Sequence, residues 1–223
     1  MRQYFIKTIL FIFIVFFCCN GKSQGSKGDY LAGESIFRGG ARLGFTASQI
    51  SGDDMAGWNK FGGYGGIFVD FAVDAKKRWR LQPELNFIMK GSNRFLRANA
   101  DGSIGQKYVL TLMYVEVPIM VQYRILKWLE AEAGPSINFL FYSKEKDNNG
   151  VMPGRQSFRF WELGFLAGFN FIIKENYGIN LRWETSVLPV RVPDGSHSPY
   201  RMKKKQFNDV IAISFYYTFG KKK

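Results

Sequence analysis

From Tyr108 to Phe141 the chain reads YVLTLMYVEVPIMVQYRILKWLEAEAGPSINFLF and changes character at every second residue. Val109, Thr111, Met113, Val115, Val117, Ile119, Val121 and Tyr123 make one apolar row, while Tyr114, Glu116, Pro118, Gln122 and Arg124 fall in the other. After a reversal at Ile125 to Trp128 the alternation resumes. Leu129, Ala131, Ala133, Pro135, Ile137, Phe139 and Phe141 then stand against Glu130, Glu132, Ser136 and Asn138. A period of two puts successive side chains on opposite faces of a strand, so this stretch is a hairpin. Long strands with acids on the inward face fit a barrel wall, with lipid outside and a polar lumen inside.

The rest of the chain repeats the pattern. Strands are expected at about 36–47, 64–74, 78–90, 158–173, 178–188 and 207–219, which with the hairpin makes eight. The connections at 48–63, 91–107, 142–157 and 189–206 are long and polar, and those near 75–77, 125–128 and 174–177 are short. Such alternation belongs to outer-membrane barrels, with long loops outside the cell and short periplasmic turns. A soluble lipocalin-like barrel alternates too, but keeps its apolar row inside; here glutamates and arginines share a row with small residues. Trp79, Tyr123, Trp128 and Tyr177 near the short turns suit an interfacial aromatic girdle. The expected class is all-β, an eight-stranded antiparallel up-and-down transmembrane β-barrel over 36–219 in a Gram-negative outer membrane.

Upstream, residues 1–24 read as a signal peptide. Arg2 and Lys7 precede the run Ile9 to Phe17, whose nine apolar residues fall short of the ~20 that a spanning helix needs. Cleavage near Cys19-Asn20-Gly21 or Lys22-Ser23-Gln24 fits, while Phe17 is a poor match to a lipidation signal at Cys18 or Cys19. Residues 25–35 would be an N-terminal periplasmic segment and 220–223 a basic tail. The net charge is +13, or +10 without Arg2, Lys7 and Lys22. The basic residues are scattered among turns and loops rather than set in a groove, so no nucleic-acid partner is expected.

The inward row carries Arg42, Asp70, Asp74, Arg80, Glu84, Glu116, Arg124, Glu130, Glu132, Glu162, Arg182 and Glu184. In a narrow lumen these charges should pair, with Lys90 or tyrosines serving the surplus acids. Glu130 and Glu132 pose the question of a metal or acid pair, against which stands simple pairing with inward arginines. Asp147-Asn148-Asn149-Gly150 has the composition of a calcium loop without the spacing, and reads as a turn. The lone histidine, His197, lies between serines in a loop. No catalytic, cofactor-binding or metal-binding residue is expected. Pro83, Pro118 and Pro135 each remove a ladder donor and are expected at kinks or bulges. Arg191, Arg201, Lys203, Lys204 and Lys205 in the last long loop are expected to meet outer-membrane lipid and lipopolysaccharide phosphates.

Tyr114-Val115-Glu116-Val117-Pro118, followed by Ala133-Gly134-Pro135 and preceded by Gln82-Pro83-Glu84-Leu85 with Lys90-Gly91, resembles the PorT-like outer-membrane β-barrel proteins of Bacteroidetes. The resemblance covers about 36–219. It implies an envelope protein, in some relatives serving type IX secretion or gliding, with other envelope proteins as partners. The expected role is a structural or accessory component of an envelope assembly; the alternatives are a narrow channel and a barrel lipid hydrolase.

Overall fold

The computed structural model describes residues 37–51, 57–95, 107–148, 150–151, 158–174, 176–191 and 205–219. The signal and periplasmic segments and the C-terminal tail lie outside them, as do His197, Arg201, Lys203 and Lys204. The strands are β1 (Phe37–Ser51), β2 (Lys60–Ala72), β3 (Trp79–Phe95), β4 (Lys107–Leu126) and β5 (Leu129–Asp147). They continue with β6 (Gly150–Val151), β7 (Trp161–Lys174), β8 (Tyr177–Ser186) and β9 (Phe207–Phe219). Every neighbouring pair is antiparallel. The order runs β1 to β5, then β7, β8 and β9, and β9 pairs back to β1 from Gly39↔Phe219 to Ser51↔Phe207. The result is a closed eight-stranded barrel without a free edge. The two-residue β6 stands outside the ring and pairs with the end of β5 through Lys146↔Val151 and Asp147↔Gly150.

Burial follows the sequence alternation with the sign of a membrane barrel. On β8 the inward row Asn180, Arg182, Glu184 and Ser186 is buried, while Tyr177, Ile179, Leu181 and Trp183 are exposed. Lipid accepts the apolar row, and a closed ladder satisfies every strand's backbone within the wall. At the short-turn end Trp79 packs on Tyr123 with ring centroids 4.6 Å apart, and Tyr177 on Tyr217 at 4.9 Å.

β4 and β5 are 20 and 19 residues long, well beyond the ~10 that cross a bilayer, so the wall extends past the membrane on the long-loop side. These extensions deliver an inner cluster that the alternation alone did not suggest. Ile50, Ile88, Leu110, Leu112, Leu140 and Val210 bury together with Tyr64, Tyr108 and Tyr114. Toward the long-loop side the lumen thus holds an apolar cluster between its charged groups.

The prolines interrupt the ladder without a register-shifting bulge. Pairing rungs lapse beside Pro83 on the β2 side, beside Pro118 on the β3 side and beside Pro135 on the β4 side, yet pairing resumes each time in the same register. A missing N–H costs a rung, not an extra residue. The register shifts fall instead at Met113/Tyr114, Arg124/Leu126 and Ile172/Lys174. The first has a large effect: beyond Phe141 the inward and outward positions of β5 exchange parity, so Glu145 is buried.

Candidate functional site: the lumen ion-pair network

The inward row assembles into four groups along the barrel. At the short-turn mouth Asp70 accepts from both Arg80 and Arg38, the latter at 3.0 Å from its cross-strand position. Beside them Arg124 and its cross-strand partner Glu130 lie 2.8 Å apart. The remaining cavity at this mouth, between Arg38, Asp70, Arg124 and Glu130, is about 30 Å³, room for one or two waters.

In the middle, Arg182 on β8 spans the barrel. Its Nη1 donates to Glu84 Oε2 on β3 at 2.9 Å and its Nε to Glu132 Oε1 on β5 at 2.7 Å. Arg42 adds a second cation on Glu84, Nη2 to Oε1 at 2.9 Å, and stacks over the Phe68 ring. Neutral side chains occupy the other lone pairs. Gln82 and Asn86 donate to Glu84, and Gln122, Asn170 and Asn180 donate to Glu132. The planar guanidinium reaches the two carboxylates from separate nitrogens.

Above this, Lys90 Nζ lies 3.0 Å from Glu162 and 2.5 Å from Glu184, with the Tyr114 ring 5.1 Å away. Asn138 donates to both glutamates and Asn208 to Glu162. Glu116 sits beside this group and accepts from Asn86 at 3.1 Å; its second oxygen has no hydrogen-bond partner among the described residues. At the outer rim Arg191 Nη1 donates to Glu145 Oε1 at 2.8 Å, Tyr108 donates to the same oxygen, and the guanidinium covers the Phe158 ring.

Two expected placements are corrected. Asp74 is not in the lumen: it opens the β2–β3 turn, where its Oδ1 accepts from the Trp79 N–H at 2.9 Å and its carbonyl from the Lys77 N–H at 3.0 Å. The alternation stops where the chain turns, so parity no longer predicts direction there. Arg191 does not face lipid head groups. An isolated bridge, Arg191↔Gln206, draws it inward, and it is 3 % exposed. Lys205 is exposed. Asp147 and Gly150 pair across a turn, and no group of three potential metal ligands occurs among the described residues.

Several members of the network escaped the sequence reading. Arg38 shares the parity of Arg42 and could have been found. Glu145 could not, because its direction depends on the register shift in β4–β5. The asparagines and glutamines carried no signal beyond their parity.

A family model described as the outer membrane protein beta-barrel domain matches residues 23–221. The chain belongs to that family. It is a small outer-membrane β-barrel, and its long loops accordingly face outside the cell and its short turns the periplasm. Among solved structures it is similar to Ail, the attachment invasion locus protein of Yersinia pestis. That match has 13% identity and covers 83% of this chain and 100% of that one, with a TM-score of 0.43. Neisserial surface protein A (NspA) matches at 11% identity, 83% and 98% coverage, and a TM-score of 0.44. OprG from Pseudomonas aeruginosa matches at 13%, 85% and 97%, and 0.35. No curated protein sequence matches the chain. At these similarities the neighbours add nothing to what the closed ladder establishes.

Proposed function

We propose that this outer-membrane barrel is a structural or accessory component of an envelope assembly, working without conduction or catalysis. The observation that carries the reading is the filled lumen. Arg42, Arg80, Lys90, Arg124, Arg182 and Arg191 reach carboxylates on other strands, and small or amide side chains occupy the space between. An eight-stranded barrel is only wide enough for side chains to fill, and a cross-strand network of this kind rigidifies the wall instead of passing solutes. What remains for partners is the wall, the long loops and the short turns. The Tyr-x-Glu-x-Pro and Gly-Pro strands support a place among PorT-like barrels of Bacteroidetes, with a secretion- or gliding-related assembly as the partner class.

Planar bilayer recording tests the central claim. Purified wild-type protein is expected to give no steady conductance, and reproducible unitary openings would replace the scaffold by a channel. Cross-linking in intact outer membrane, followed by purification under denaturing conditions, is expected to recover defined envelope proteins. Lipid A deacylation by wild-type protein that is lost in His197→Ala would instead make it a hydrolase.

A further inference from the structure

The lipid-facing wall of β1 to β5 is not uniform. On β2 the outward row runs Phe61, Gly63, Gly65, Ile67, so two successive positions lack side chains. The gap is a groove of about 650 Å³, walled by Leu43 and Phe45 on β1 and by Phe87 and Met89 on β3. A Cβ placed on Gly63 would meet no atom within 4 Å. The walls stand about 10 Å apart, two strand spacings, which leaves a slot of single-alkyl-chain width between their side chains. Leu43, Phe45 and Phe61 project beside it at 75 %, 76 % and 74 % exposure.

The groove leads past Met113 on β4 and Phe141 on β5 toward the long-loop end. One outward step beyond Met113 lies Thr111, whose hydroxyl accepts from Lys60 Nζ at 2.8 Å and whose cross-strand partner is Lys144. Lys146, exposed, follows opposite Val109. Lys60 begins β2 on the inward parity, opposite the buried Ser48, and its Nζ reaches the outward Thr111; the outward rows of β2 to β5 contain no acidic side chain among the described residues, so Lys144 and Lys146 meet no carboxylate on their own face.

An apolar slot ending in clustered cations at the outer membrane surface matches an acylated phosphate. We propose that this wall binds one phosphorylated glycolipid of the outer leaflet. An acyl chain lies in the Gly63–Gly65 groove, and a phosphate meets Lys60, Lys144, Lys146 and the Thr111 hydroxyl. Compact ammonium groups suit phosphate, and the position of the cations at the long-loop end selects the outer leaflet over inner-leaflet phospholipid. The site is independent of whether the lumen conducts, so it stands or falls separately from the scaffold reading.

Native mass spectrometry of the full chain in detergent, loaded in turn with lipid A, dephosphorylated lipid A and phosphatidylglycerol, tests it. Lipid A is expected to remain bound to the wild type and to K76Q, a charge control in the periplasmic turn. Its occupancy should fall about tenfold or more in K60Q/K144Q/K146Q and on dephosphorylation. Filling the slot with Gly63→Leu should displace lipid A while the protein keeps its heat-modifiable migration. Undiminished lipid A in both G63L and the triple variant, or equal retention of phosphatidylglycerol, would overturn the proposal.

Discussion

The Arg182 guanidinium on β8 and the Glu84 carboxylate on β3 meet across the lumen, Nη1 to Oε2 at 2.9 Å, both side chains almost fully buried. Ninety-eight residues separate them in the chain. Removing one partner of a buried pair strands the other, which costs about 3–5 kcal/mol. Arg182→Ala takes the guanidinium from Glu132 while Arg42 still serves Glu84, and Glu84→Ala leaves Arg182 its bond to Glu132 but takes the carboxylate from Arg42. Heat-modifiable electrophoresis should therefore place both E84A and R182A well below the wild type. Arg182→Lys should recover little, since a single Nζ cannot occupy the separate positions from which Nε and Nη1 reach Glu132, Tyr64 and Glu84. Wild-type stability of either variant would refute the bridging role.

The lipid face is tested at Phe165, Leu181 and Ile213, which are exposed mid-wall. Arginine near the bilayer midplane costs ~2–4 kcal/mol and near the interface about 0–1. Urea titrations in lipid vesicles should show F165R, L181R and I213R losing that much relative to V73R, whose site lies in the short β2–β3 turn. The inward neighbour Gly164 is no control, because a Cβ there would lie 2.5 Å from Ser136 Oγ.

Arg191 and Glu145 close the outer rim. Arg191→Gln and Glu145→Gln should each raise the rate at which external protease cleaves the last long loop, by several-fold. Surface retention of lipopolysaccharide should stay at the wild-type level in R191Q, since the guanidinium points inward. A loss of lipopolysaccharide with unchanged proteolysis would restore the residue to the surface.

Adjacent glycines on β2 should respond in opposite ways. A Cβ on Gly62 would come 2.5 Å from the Met89 carbonyl and 2.7 Å from Thr46 Oγ1, which donates to that same carbonyl at 2.7 Å. Gly62→Val is expected to lower refolding yield in detergent severely. Gly63→Val, facing open space, should fold like the wild type.

Much of this architecture is legible without coordinates. The alternation of Tyr108 to Phe141 is enough to define two strands, their inward acids and their outward apolar row. The order of long and short connections is enough to set the antiparallel strand sequence and the end that carries the loops. These are local properties: a strand has a period of two whatever surrounds it, and lipid sets which row faces out. Asp74 and Glu145 mark where locality ends, one at a turn and one past a register shift, because a single inserted residue inverts every later direction.

The sequence by itself therefore determined that these carboxylates and guanidinium groups share a narrow interior and must pair. Which of them pair was decided only by the tertiary structure. Arg182 finds Glu84 and Glu132, Lys90 finds Glu162 and Glu184, and Arg191 turns in to Glu145. The strand stagger that aligns opposite walls arises when β1 meets β9, and no local pattern encodes that closure.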